Sequence, residues 1–168
     1  MIIAIYGSSC VGKSVVANAL AERLCVRVRH CGELIKDRAA AKGTSTGALS
    51  PEDHRDIDAH TRSLAQEEVS TFVIEGTYLN HVLAELDHIF LVHLTCESSE
   101  RQLRLQKRSG TNAADIALRD SADRSLSDAL YDKTIPRKPD FTLDTTSLQV
   151  GRVAEMIETC IREREKNG

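Results

Sequence analysis

Runs of apolar residues, each only a few positions long, alternate along this chain with longer stretches in which apolar positions recur at helical spacing. The runs predict β-strands over residues 2–6, 26–29, 71–74, 88–94 and 141–143. The periodic stretches predict helices over 13–24, 32–42, 51–69, 97–108, 113–131 and 150–165. Ser50 is placed to cap the third helix, with Pro51 in its first position, where a missing N–H costs nothing. Residues 43–50 (GTSTGALS) read as a polar loop. Strands alternating with helices predict an α/β fold, a five-stranded parallel sheet with helices on both faces. No repeat, low-complexity tract or Pro/Gly-rich linker interrupts the pattern, so residues 1–168 are expected to form one domain.

One connection carries chemistry. Between the first strand and the first helix lies Gly7-Ser8-Ser9-Cys10-Val11-Gly12-Lys13-Ser14, a complete G-x-x-x-x-G-K-S with Val15 continuing into the helix. Glycines let the backbone curl so that successive N–H groups converge on phosphate oxygens, and the helix behind adds the positive end of its dipole. Lys13 is suited to the β- and γ-phosphates and the Ser14 hydroxyl to Mg²⁺, so ATP and Mg²⁺ are the expected cofactors.

Composition narrows the classes. Hydrophobic residues make up 41% and charged residues 28% of the 168, ordinary values for a globular chain. Aromatics are only 4% with no Trp, and the net charge is −3, which argues against a nucleic-acid binder. The opening MIIAIYGSSC lacks a positive n-region and reads as a strand, and no apolar run approaches membrane-spanning length. The five cysteines are odd in number and form no C-x-x-C pair, which suits free thiols in a reducing cytoplasm. His54 and His60 are not spaced as metal ligands on one helical face. Cys10 lies near a helix N-terminus, where a thiol is activated, although a small residue filling a variable position explains it equally simply.

Two further groupings are candidates. Glu75 and Gly76 end the third strand, at the carboxyl edge where α/β sheets bind ligands. Glu75 could orient a metal-bound water, accept a proton from a nucleophile, or simply end a strand. Arg101, Arg104, Lys107 and Arg108 share one predicted helix, Arg104 and Arg108 on one face, where two guanidinium groups repel unless an anion or an aromatic plane lies between them. Arg119, Asp120, Asp123 and Arg124 share the next helix, either as cations that close over a γ-phosphate or as solvated pairs such as Asp120 with Arg124.

Taken together these segments resemble the nucleoside monophosphate kinases, most closely the cytidylate kinase-like group, over nearly the whole chain. Cys31-Gly32-Glu33-Leu34-Ile35-Lys36 is similar to that group's G-E-x-F-R segment, and residues 51–58 to its P-E-x-D-x-x-I-D stretch. Val73-Ile74-Glu75-Gly76 is similar to its V-x-E-G strand, Arg119 to Arg124 to its R-D-x-x-D-x-R lid, and Asp144-Thr145-Thr146-Ser147-Leu148 to its adenine-side D-T-S-x-L. The departures fall on the acceptor side: Lys36 and Thr77 stand where the group has arginines, His30 where it has Ser, and Thr61 where Gln is frequent.

The resemblance implies a P-loop NTPase fold with a helical acceptor-binding segment at about 31–70 and a lid at about 109–132. Lys13, Glu75, Arg108, Arg119 and Arg124 would be catalytic. Gly7 through Val15, with Arg104 and Thr146 at the adenine, would hold ATP, and Ser14 with Glu75 would hold the metal. Gly32, Lys36, Arg38, Asp58, Arg62, Gly76 and Thr77 would bind the acceptor. The expected activity is ATP-dependent phosphoryl transfer to a (deoxy)pyrimidine monophosphate. A kinase for a nucleoside or other unphosphorylated alcohol, and a nucleotide-dependent switch without a small acceptor, are the alternatives. The expected partner is a small-molecule acceptor, with no nucleic acid and no membrane, and the chain a monomer or weak dimer.

Overall fold

The computed structural model describes residues 1–109 and 115–167. Five parallel strands are present among these: β1 (Ile2–Tyr6), β2 (Arg27–His30), β3 (Phe72–Gly76), β4 (Ile89–Thr95) and β5 (Phe141–Asp144), in spatial order β2-β3-β1-β4-β5. The helices are α1 (Lys13–Leu24), α2 (Cys31–Ala41), α3 (Pro51–Glu67), α4 (Leu79–Val82), α5 (Ser98–Ser109), α6 (Ile116–Tyr131) and α7 (Val150–Asn167), with a 3-10 turn at Thr46–Ala48.

β1 is central and wholly buried, which is why it reads as an unbroken apolar run. Its side chains alternate between two layers. Ile3 and Ile5 meet Val16 and Leu20 of α1 and Val153 and Ile157 of α7. Ile2 and Ala4 face the opposite layer, where Ala65 of α3 and Leu79 and Val82 of α4 pack with Phe72, Ile74 and Leu91. A third, smaller cluster of Ala39, Leu49 and Ile57 joins α2 to α3.

The predicted elements recur with small shifts. α3 ends at Glu67, and Val69, predicted as helical, is 98% exposed. α4 was absent from the prediction because four residues are too few to display a helical period. The predicted start of α6 at Ala113 lies outside the described residues, and the described helix opens at Ile116 with the Asp115 side chain accepting from the Ala117 N–H. Ser50 and Pro51 stand as expected, and Asp53 completes a capping box with Ser50. Among the described residues, no helix is long and apolar enough to cross a membrane.

The register places the site. Ile5 pairs with Glu75 and Tyr6 with Gly76, so the Gly7–Ser14 loop and Glu75 emerge together at the carboxyl edge of neighbouring strands.

Candidate active site

The loop after β1 is held in a shape that its sequence makes possible. Gly7 has φ 147°, and a Cβ there would stand 2.3 Å from the Leu94 carbonyl oxygen, so only glycine lets the loop cross the end of β4. Gly12 (φ 101°) and Cys10 (φ 66°) are also left-handed. Gly12 offers no side-chain cap, so the first N–H groups of α1 are left open to a ligand, the arrangement that receives phosphate. Lys13 Nζ donates to the Gly7 and Ser8 carbonyls at 2.9 and 3.0 Å. Burial lowers the Lys13 pKa, against the raising pull of Glu75 and Asp123.

A cleft of about 790 Å³ opens over this loop. Ser9, Cys10, Gly12, Lys13, Ser14 and Val15 line it, whereas Gly7 and Ser8 face a second hollow of about 370 Å³ and Val11 is buried beneath the loop. Glu75 is 5% exposed and lines the cleft. Its Oε1 accepts a hydrogen bond from Ser14 Oγ at 3.2 Å and lies 3.1 Å from His30 Nδ1, while His30 Nε2 lies 3.1 Å from Asn18 Oδ1. A hydroxyl and a carboxylate side by side are hard oxygen donors, and they fit Mg²⁺, which takes one or two such groups and completes its shell with phosphates and water.

The arginines divide into two kinds. Arg108 and Arg119 line the cleft. Arg104 also lines it, but its guanidinium is already satisfied: it donates to the Val11 carbonyl (3.2 Å), to Thr145 Oγ1 (3.1 Å) and carbonyl (2.7 Å), and pairs with Glu100. Arg104 and Arg108 therefore need no anion between them. Arg101, given no role by the sequence, is 5% exposed; its Nε donates to the Ser9 carbonyl at 2.8 Å and its fork grips Asp120 of α6. Asp120 is thus the partner of Arg101 instead of Arg124, and Arg124 is exposed beside the second hollow with Tyr6 and His93. Asp123 lies over the loop, accepting from Ser9 Oγ at 3.2 Å; burial raises its carboxyl, eased by that bond and by Lys13.

At the adenine-side strand end, Thr146 is bonded to Asp144 and to the Glu97 N–H and lies outside the cleft lining. Its neighbour Thr145 is the buried one, donating to the Val11 carbonyl at 2.8 Å.

Of the expected acceptor residues, Gly32, Asp58, Gly76 and Thr77 line the cleft and Lys36, Arg38 and Arg62 do not. Lys36 is exposed on α2. Arg38 is taken up by Asp53 and Asp56, locking α2 to α3 together with Lys42. Arg62 Nε donates to the Val82 carbonyl at 3.0 Å, at the end of α4. What lines this end instead is mostly aliphatic, with Cys31, Thr46, His54, Thr61 and two tyrosines: Tyr131 donates to Asp58, and Tyr78 to the Asp123 carbonyl at 2.8 Å. Burial raises the Asp58 carboxyl, against the lowering effect of that Tyr131 bond and of nearby His54 and Arg62.

No curated protein matches this sequence. Solved structures share the fold at low identity. An uncharacterized protein from Eubacterium ventriosum is 19% identical with a TM-score of 0.71, over 96% of this chain and 98% of that one. A gluconokinase from Sinorhizobium meliloti is 17% identical with a TM-score of 0.69, over 98% and 93%. A shikimate kinase from Acinetobacter baumannii, in complex with shikimate, is 15% identical with a TM-score of 0.65, over 97% and 93%. These likenesses show the fold. The model of the AAA domain family (AAA_18) matches residues 3–125, from β1 through most of α6. With its P-loop inside a match that spans most of its length, the chain belongs to this AAA domain family.

Proposed function

We propose that this chain is an ATP- and Mg²⁺-dependent phosphotransferase whose acceptor is a small molecule that offers a hydroxyl and carries no phosphate of its own. The observation that carries the reading is the division of the cleft. Its lining arginines and lysine, Lys13, Arg104, Arg108 and Arg119, come from α1, α5 and α6, while the part lined by α2 and α3 offers neither lysine nor arginine, only His54, Asp58, Thr61, the Cys31 thiol and aliphatic side chains. Of the cations expected at the acceptor, Arg38 and Arg62 are spent on Asp53, Asp56 and the Val82 carbonyl, and Lys36 is exposed and outside the cleft lining. Kinship of fold with a gluconokinase and a shikimate kinase supports phosphoryl transfer to a small molecule.

In this reading the open N–H groups of α1 hold the β- and γ-phosphates, and Lys13 leaves the Gly7 and Ser8 carbonyls to neutralise them. Ser14 and Glu75 would hold Mg²⁺, which when bound neutralises phosphate charge. Arg108 of α5 and Arg119 of α6, both in the cleft lining, stabilise the transferring phosphoryl. Glu75 takes the acceptor's hydroxyl proton as the oxygen–phosphorus bond forms and the bond to the β-phosphate oxygen breaks, releasing ADP.

A nucleoside monophosphate acceptor is the second reading, favoured by Arg119, which lines the same cleft on the lid-like helix. ADP release from ATP and Mg²⁺, measured against nucleoside monophosphates, the matching nucleosides and unphosphorylated alcohols, separates the two. Turnover confined to unphosphorylated acceptors is expected. Strong turnover with CMP, UMP or another monophosphate would refute the proposal and establish the second reading.

A further inference from the structure

The acceptor end of the cleft is unusual in what it leaves unbonded. Thr61 of α3 is 1% exposed and lines the cavity, and among the described residues its hydroxyl has no partner stronger than the Cys31 thiol. Buried hydroxyls without a strong partner are rare, because each forgoes its hydration with little in return. The cleft lining shared with Thr61 includes Ile35, Leu49, Ile57, Leu79, Val82 and Leu130, together with His54, Tyr78 and Tyr131. A weakly bonded hydroxyl in a mostly aliphatic chamber is the pattern of a ligand site that orients a mostly apolar molecule through a few polar points.

Charge sharpens the class. Asp58 and Glu75 both line this chamber, and both act on Cys31, whose thiol is pushed up to about 12 by burial and by these two carboxylates. A carboxylate or phosphate on the acceptor would meet two like charges, with His54 the one basic residue that α2 and α3 contribute to the lining. An ammonium would have to shed its water among aliphatic side chains, and the half-buried Asp58 already receives Tyr131 and lies in the field of His54 and Arg62.

Resting on the phosphotransferase reading above, we infer that the acceptor is an uncharged alcohol with a largely hydrocarbon body and a second polar group. The reacting hydroxyl faces Glu75, the hydrocarbon body fills the chamber between α2, α3 and α4, and the second polar group bonds to Thr61.

The test uses one scaffold. Cyclohexylmethanols that carry a hydroxyl, ammonium, carboxylate or phosphate at the far ring position are compared with an open-chain polyol in the ADP-release assay. The neutral diol is expected to give the highest kcat/KM, at least about tenfold above each charged analogue and above the polyol. A charged analogue or the polyol outperforming it would overturn the inference and leave the phosphotransferase standing. ADP release that no compound accelerates would refute both. Thr61→Val supplies an independent arm. It is expected to hold or raise the melting temperature, since no bond stronger than the thiol's is lost, and to raise the KM for the diol about tenfold while leaving the KM for ATP unchanged. A fall in melting temperature with an unchanged diol KM would mean that Thr61 is structural and would overturn its role.

Discussion

Asp120 and Arg101 form the joint between α6 and the phosphate loop, and breaking it should be measurable in both stability and nucleotide use. Arg101 reaches the Ser9 carbonyl at 2.8 Å with Nε and Asp120 at 3.0 Å with Nη1, and the side chains are 6% and 28% exposed. Removing one partner of a fully buried pair costs about 3–5 kcal/mol, because the other charge is stranded. Asp120 keeps some access to water, so about 2 kcal/mol is a fairer figure for Asp120→Asn. For a chain of this size that corresponds to a fall of about 4–8 °C in melting temperature. A cycle of Asp120→Asn, Arg101→Gln and the double variant, followed by circular dichroism on heating, should give a coupling of about 1–2 kcal/mol. The KM for ATP should rise in each single variant, because Ser9 and the helix above it lose their common anchor. Effects that add within about 0.5 kcal/mol, with the KM for ATP unmoved, would show that the joint holds nothing together.

Three other outcomes follow from the same coordinates. Lys13→Ala should cut ADP release by a factor of about 10³ or more while the melting temperature stays near that of the parent, since Lys13 bonds only to loop carbonyls; retained turnover would refute its role. Gly7→Ala should destabilise by about 3 kcal/mol or more, with its Cβ driven to 2.3 Å from the Leu94 oxygen at a φ of +147°, and a denaturation midpoint within error of the parent would contradict the loop geometry. Hydrogen bonds from Lys42 and Ser50 hold the Asp53 carboxyl well below its ordinary 3.8, so its contribution to stability is present above about pH 4 and drains away as the pH falls lower. Urea midpoints between about pH 5 and pH 2 should therefore slope less in Asp53→Asn than in the parent.

The sheet was legible because its three inner strands are short, mostly apolar runs, unlike edge strands β2 and β5, and the phosphate loop because all eight of its residues are consecutive. What the sequence hid were choices between chemically similar neighbours. Thr145 and Thr146 are interchangeable on paper, and only the fold turns the first toward the Val11 carbonyl and the second toward Asp144. Arg38, Arg62 and Arg101 look as available as Arg108, yet long-range carboxylates and helix-end carbonyls claim them. No local pattern announces that Asp120 will find Arg101 on α5 in preference to Arg124 one turn away. Acceptor chemistry was therefore the least legible part: it depends on which cations remain unclaimed after folding.

The central position of β1 has a consequence for synthesis. Residues 2–6 pair only with residues 72–76 and 89–93, which are translated after them. Until then Ile2, Ile3 and Ile5 have no sheet to join, and α1 lacks the α7 residues that complete its layer. On the ribosome the phosphate loop is thus made before the strands that flank it, and until they follow the nascent chain carries an uncovered apolar strand.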